Sequence, residues 1–275
     1  MADGVIQLVT SGQRLILDAA GDGRAVSWNI DGHEVLGRKS SALIDYGMYA
    51  MGPWAGRINN NLVTVDGHTF SMPITHDRWA LHGTTLGRSC RVVEIDQDAD
   101  EARAVTETDL GRTWPWKGVL RSTWHLHRGG LDTELEVIAK DETFPSVVGW
   151  HPWFQRTIAG VDAIWTLSEP KLAERRDDYS FTGQLVDLTA PHGTFDDAFR
   201  SNGSACIAWP GVMRIDIVNS HPWFVVFDRE PTLLCIEPQT GPPNGINDGL
   251  GDPIAWTQLD DPIRMRTTWA ITREA

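Results

Sequence analysis

Short runs in which apolar and polar residues alternate, separated by turn residues, fill this chain almost from end to end. Residues 13–18 lead through the turn Gly21-Asp22-Gly23 into a second strand over 25–30, and Asp31-Gly32 turns that strand into 33–36. Asp66-Gly67 makes the same connection between 62–65 and 69–72. An Asp-Gly pair between alternating segments is a strong hairpin signal, because both turn positions need positive φ. Arg128-Gly129-Gly130 joins 122–127 to 131–137 as a third hairpin. Segments 223–227 and 233–236 read as buried strands, and 264–272 closes the chain as a last strand. No segment carries the 3.6-residue period of an amphipathic helix; residues 174–178 are at most a short turn, and the acidic stretch 97–103 reads as a solvated loop. Many short strands with regular turn signals predict an all-β, large antiparallel sandwich or barrel. Without repeat, low-complexity tract or linker, the simplest organisation is one domain over residues 1–275.

Bulk properties narrow the function class. The chain has 275 residues, 41% hydrophobic and 22% charged, enough to bury a core without staples. A formal net charge of −13 points away from nucleic acid, which requires a basic face, and mildly disfavours a polyanionic substrate. Cys90, Cys206 and Cys235 are odd in number and far apart, which fits neither a disulfide framework nor a structural zinc site. No stretch reaches the roughly 18 apolar residues of a membrane span. The N-terminal residues lack a basic region followed by an apolar run, so a cytoplasmic location is expected. Thirteen Trp against three Tyr is the compositional oddity; indole faces suit the C–H faces of sugars, but most are expected in the core.

Two histidines and a glutamate stand in distinctive contexts. Strand alternation puts Leu233, Cys235 and Glu237 on one face, so Glu237 ends a row of apolar side chains just before Pro238. A carboxylate desolvated there has a raised pKa and suits a general base, although an ordinary acid at a strand end fits the position equally well. His151 is surrounded by Trp150, Pro152, Trp153 and Phe154, an environment that dries an imidazole; a satisfied core histidine is the alternative. His82, before Gly83, could donate to a substrate oxygen, and Arg57 could fork to sugar hydroxyls; each also reads as a loop residue without function. Asp196, beside Asp197, follows a turn and could hold a hydroxyl. The loop Gly241-Pro242-Pro243-Asn244-Gly245 is rigid enough to wall a pocket. His125-Leu126-His127 puts two imidazoles on one strand face, but Asp132 lies past the turn, and no metal is expected there. Gly21-Asp22-Gly23 opens no helix, so a dinucleotide loop is not expected either.

The segments Gly52-Pro53-Trp54-Ala55-Gly56-Arg57-Ile58, Leu81-His82-Gly83, Gly149-Trp150-His151-Pro152-Trp153-Phe154, residues 196–199 and Cys235-Ile236-Glu237-Pro238 occur together in this order. As a set they resemble the aldose 1-epimerase (mutarotase) family, in its broader bacterial branch, over nearly the whole chain. The resemblance implies a β-supersandwich with an open, cofactor-free and metal-free cleft for a small sugar. It also implies an isomerase of carbohydrate metabolism in which Glu237 takes the anomeric proton and His151 protonates the ring oxygen. His82, Arg57 and Asp196 would hold hydroxyls, and Trp54, Trp150 or Trp153 would offer a stacking face. Gly56 stands where galactose mutarotases carry an Asn, which implies one lost hydrogen bond to the sugar. Three other readings compete. A mutarotase for a 6-phosphorylated or sulfonated hexose would need a second cation near Arg57, from Arg78 or Arg88. A glycoside hydrolase would use Glu237 with Asp196, and a non-catalytic carbohydrate-binding module would need no acid–base pair.

Overall fold

The alternating segments assemble into two large antiparallel sheets, of 11 and 8 strands, with three two-stranded ribbons beside them. The computed structural model describes residues 4–274 apart from Lys39, Ser41 and Pro191. Among these residues the 3₁₀ turn Asn59–Asn61 is the only helical element. The three hairpins expected from turn chemistry form. Asp31 and Gly32 have φ of 49° and 89°, and Asp66 and Gly67 have 49° and 79°, as the short turns demand. The Gly-Gly hairpin joins Gly118–His127 to Gly130–Ala139 with His127 opposite Gly130.

Two local expectations change. The acidic stretch is mostly strand: Arg91–Gln97 pairs with Glu101–Asp109, and only 98–100 form the turn. Arg91–Gln97 is the edge strand of the 8-stranded sheet, mostly exposed, and its charged residues Arg91, Glu94 and Asp96 are of the kind that protect an edge, although Val93 and Ile95 are exposed beside them. Arg175 likewise ends the strand Lys171–Arg175, paired to Phe181–Asp187, so only part of 174–178 is a turn.

The two sheets meet through the inward side chains of each strand. Gly118–His127 alternates buried and half-buried positions along its whole length, with Leu120, Trp124 and Leu126 inward. Trp124 meets Trp150 of the other sheet with ring centroids 4.5 Å apart, and Phe154 lies 6.1 Å from Trp269. Trp28, Trp54, Trp124, Trp150, Trp209, Trp223 and Trp269 are all fully buried, so most of the unusual tryptophan content builds the core.

Neighbouring strands in the middle of the larger sheet form a floor. Met48–Met51, Gly149–Gln155, Leu233–Gln239, Trp223–Phe227 and Asp196–Arg200 lie side by side in that order. Their even-numbered members Trp150, Phe154, Leu234, Ile236, Phe224 and Val226 fill the interior between the sheets. The alternate positions face outward, yet several of them are also shielded from solvent, which is the mark of a cleft over the sheet.

Candidate active site

Pairing register brings the two expected acid–base residues together. Gly149 lies opposite Gln239 and Trp153 opposite Cys235, so His151 and Glu237 face each other across neighbouring strands on the outward face. His151 Nε2 is 3.2 Å from Glu237 Oε1, and both side chains are almost wholly buried. Gln239 donates from Nε2 to the other carboxylate oxygen of Glu237 at 3.2 Å.

The imidazole is held by aromatic neighbours. Tyr49, its partner in the adjacent strand, stacks on it with centroids 4.7 Å apart and planes at 20°. Trp153, two residues on, stacks at 5.2 Å and 27°. One carbonyl fixes both rings: Ile44 O accepts from Tyr49 Oη at 3.2 Å and from Trp153 Nε1 at 2.5 Å. Beneath Tyr49 lies the buried guanidinium of Arg24, 4.9 Å from the ring centroid and paired to Asp22 at 2.6 Å.

His82 approaches His151 edge-on, ring centroids 4.9 Å apart and planes at 88°. Its backbone is left-handed, with φ of 59° followed by 80° at Gly83. A Cβ on Gly83 would lie 2.0 Å from Gly52 O, so only glycine permits the close pass that turns His82 inward. His82 Nδ1 and Arg57 Nε are buried without a hydrogen-bond partner among the described residues, which leaves hydrogen-bonding capacity unused beside the imidazole pair.

Arg57 and Asp196 also come together, in a cluster that the sequence only half reveals. Asp196 Oδ2 accepts from Arg57 at 3.2 Å and from Tyr179 Oη at 3.0 Å, and it also pairs with Arg229. Arg57 lies over the Tyr179 ring at 3.9 Å. Asp197 turns away to Arg175 Nε at 2.5 Å. Arg229, Tyr179, Tyr49, Arg24 and Gln239 carry no motif of their own; only alternation from Glu237 to Gln239 offered a signal.

These residues line a cleft of about 320 Å³ that includes Arg57, His82, His151, Trp153, Asp196 and Glu237, with Pro243 of the rigid loop as one wall. Of the three tryptophans considered for stacking, Trp153 alone reaches it. Trp150 points the other way, into the core, because it is one residue out of phase with His151. Trp54 is buried too, giving its indole N–H to Ala80 O at 3.3 Å and packing on Trp114. The absence of a side chain at Gly56 has a local cause. With φ of 71°, a Cβ there would sit 2.7 Å from Pro243 Cβ, so the wall occupies that space.

Burial sets the charges. Desolvation, with the nearby Asp196 carboxylate, raises the Glu237 pKa well above the usual carboxylate value, against the pull of Arg57 and Gln239. Desolvation, helped by Arg24, lowers His151 from 6.5 to about 3. His82 moves down for the same reason, reinforced by His151 and Arg57. The dry pair therefore favours one proton on the carboxyl and a neutral imidazole, and it titrates as a unit.

His151, Cys235 and Glu237 also bring their N, S and O atoms within 4.8 Å of one another, which is metal-ligand spacing. A metal would need thiolate and carboxylate, whereas burial holds both Cys235 and Glu237 toward their protonated forms. The donor set thus fits a proton-transfer pair better than an ion. The two imidazoles of His125 and His127 go instead to Glu101 at 3.1 Å and Asp132 at 3.5 Å.

A family model described as aldose 1-epimerase matches residues 23–247. Solved structures with the same fold include a galactose mutarotase-like protein from Clostridium acetobutylicum, 18% identical, TM-score 0.85, covering 98% of this chain and 95% of that one. An aldose epimerase homologue from C. elegans is 14% identical with a TM-score of 0.81, covering 99% of each chain. A galactose 1-epimerase from Lactobacillus acidophilus NCFM is 13% identical, TM-score 0.79, covering 96% and 92%. No curated protein sequence matches the chain.

Proposed function

Starting from the fact that the chain belongs to the aldose 1-epimerase family, we propose that it is a cofactor-independent mutarotase, interconverting the α and β anomers of an aldose. The buried contact of 3.2 Å between His151 Nε2 and Glu237 Oε1 carries this reading. The anomeric hydroxyl and the ring oxygen of a cyclic aldose are both bonded to C1, so an adjacent acid and base can address the two at once.

The proton count closes. In the reactive form of the pair, Glu237 is ionised and His151 is protonated. Glu237 takes the proton of the anomeric hydroxyl as His151 gives one to the ring oxygen, and the C1–ring oxygen bond breaks to leave the aldehyde. The pair ends as carboxylic acid and neutral imidazole, the form that burial favours, with its total protons unchanged. Rotation about C1–C2 presents the other face of the aldehyde, and reversal of both transfers closes the ring as the other anomer. Arg57 and His82 supply hydrogen bonds to hydroxyls, Trp153 an apolar face, and Asp196 holds Arg57 in place.

The competing enzyme readings meet specific obstacles. Asp196 already accepts from two guanidiniums and a phenol, which removes it as the second carboxyl of a glycosidase. For a binding module, a buried acid–base pair is a burden without use. The test is anomer exchange by NMR over a panel of aldoses, wild type beside Glu237→Gln, with uncatalysed mutarotation subtracted. Exchange above background that disappears in the variant supports the activity and the base; exchange at background for every sugar removes the reading.

A further inference from the structure

A fully buried charge takes no part in the proton transfers. Arg24, whose side chain has no exposed surface, stands just before the strand Ala25–Ile30. Its Nε and Nη2 fork onto the two carboxylate oxygens of Asp22 at 2.9 and 2.6 Å. Its Nη1 donates to Leu43 O at 2.6 Å and to Tyr46 O at 3.3 Å. The guanidinium also lies over the Tyr46 ring at 4.4 Å, as it does over Tyr49. Asp22 in turn accepts from the backbone N–H of Gly87 at 2.9 Å. The ion pair thus fastens the turn at 21–24 to the loop 43–46 and to Gly87.

The loop it holds is the one that orients His151. Leu43 and Tyr46 bracket Ile44, whose carbonyl takes both the Tyr49 hydroxyl and the Trp153 indole N–H. Those are the two rings stacked against the imidazole. Ile44 and Asp45 themselves form part of the cleft wall. Just past Tyr46, Gly47 O accepts from Trp153 N at 2.8 Å, a further tie between this loop and the strand of His151. Stability does not explain the choice of a charge here. Desolvation offsets most of the attraction in a buried ion pair, and apolar residues of the same volume hold a fold at least as well. What a guanidinium adds is direction: planar donors at fixed angles, reaching a carboxylate and two carbonyls at once. Burial, then the Arg24 charge, hold His151 toward its neutral form, so an imidazolium over this stack gives up its proton readily.

Building on the mutarotase reading, we propose that Arg24, with Asp22, is a positioning residue for the proton transfers. It clamps the loop 43–46 so that Tyr49 and Trp153 fix the plane of the His151 imidazole against Glu237. Arg24 is not among the residues lining the cleft and lies behind Tyr49, so it touches no substrate. Its effect falls on the rate of the chemical step rather than on sugar affinity, which belongs to Arg57 and His82 in this reading. A displacement of about 1 Å at the reacting groups can cost roughly 10²-fold in rate.

The experiment measures anomer exchange for wild type, Arg24→Lys and Asp22→Asn/Arg24→Met on a sugar that the wild type turns over. Lysine keeps the charge without the fork, and the double variant removes both charges so that no buried ion stands alone. Trp28→Phe, at a fully buried position in the strand that follows Arg24, is the control for lost stability, which urea unfolding reads in every variant. In both Arg24 variants kcat should fall by about 10–10²-fold with KM nearly unchanged, whereas Trp28→Phe keeps its kcat. The Trp153 indole N–H, assigned by NMR through Trp153→Phe, should move upfield in the Arg24 variants as its bond to Ile44 O loosens. An unchanged kcat in both variants, a loss confined to KM, an equal loss of kcat in Trp28→Phe, or an unmoved Trp153 resonance each overturns the proposal and leaves the mutarotase reading intact. Exchange at background in wild type for every sugar removes that reading instead, and the clamp then stands or falls on the indole resonance alone.

Discussion

At the scale of single residues, the conflict between burial and charge governs Glu237 and His151. Above its raised folded pKa, Glu237 is a buried carboxylate, whereas below the usual 4.5 it is neutral both folded and unfolded. Its stabilising contribution is therefore present at low pH and lost as pH rises through the folded value. Glu237→Gln should melt higher than wild type at alkaline pH, by about 2–4 °C for each kcal/mol relieved, with the difference vanishing near pH 4. Exchange activity should fall by at least about 10²-fold in the same variant; calorimetric scans and NMR read the two effects separately. His151 has the opposite sign. Its pKa drops from 6.5 to about 3, so the stability of its neutral form is complete above 6.5 and is lost as pH falls toward 3. His82 moves the same way. Wild type should lose stability across that window, and His82→Gln should flatten the loss, as urea titrations at stepped pH will show. Because the proposed anomer exchange needs one proton on the pair, kcat should trace a bell, with its acid limb at the uptake of a second proton and its alkaline limb at loss of the first.

Local elements explain how loop residues reach the cleft. The segment carrying His82 depends on Gly83, and the loop 241–245 depends on Gly56, because in each case backbone or a proline ring occupies the space of a side chain. Gly56→Asn, which introduces the side chain present in galactose mutarotases, should not add a sugar contact. Asn tolerates the left-handed backbone, but its Cβ must displace Pro243, so KM should rise and stability fall by about 1–3 kcal/mol. Kinetics and urea unfolding check this. The turn signals Asp-Gly and Gly-Gly were legible because they act within a few residues. The strand character of the acidic stretch 97–103 was not, since its polar, acidic composition is shared by loops and only the pairing of Arg91–Gln97 to Glu101–Asp109 distinguishes it.

For the whole molecule, the phase of one strand separates core from cleft. Trp150 and Trp153 differ by an odd number of residues, so one packs between the sheets on Trp124 and the other stacks on His151. Trp150→Ala should cost about 3–5 kcal/mol, the range for truncating a large buried aromatic. Trp153→Ala should cost less stability and appear mainly in KM. Denaturant titration beside steady-state exchange separates the two.

Sequence alone determined the all-β class, the hairpins and the ordered motifs, because alternation and turn chemistry are local properties of neighbouring residues. It also nominated Glu237 and His151, whose apolar contexts are written beside them. Tertiary structure alone decided that these two groups touch, since the register between strands 86 residues apart in sequence (237 − 151) is a long-range property. It likewise decided that Arg229, rather than Arg78 or Arg88, is the cation beside Arg57, and that Trp54 belongs to the core. Charges of surface residues acquire partners only when the chain folds, and no local pattern encodes which partner each will meet.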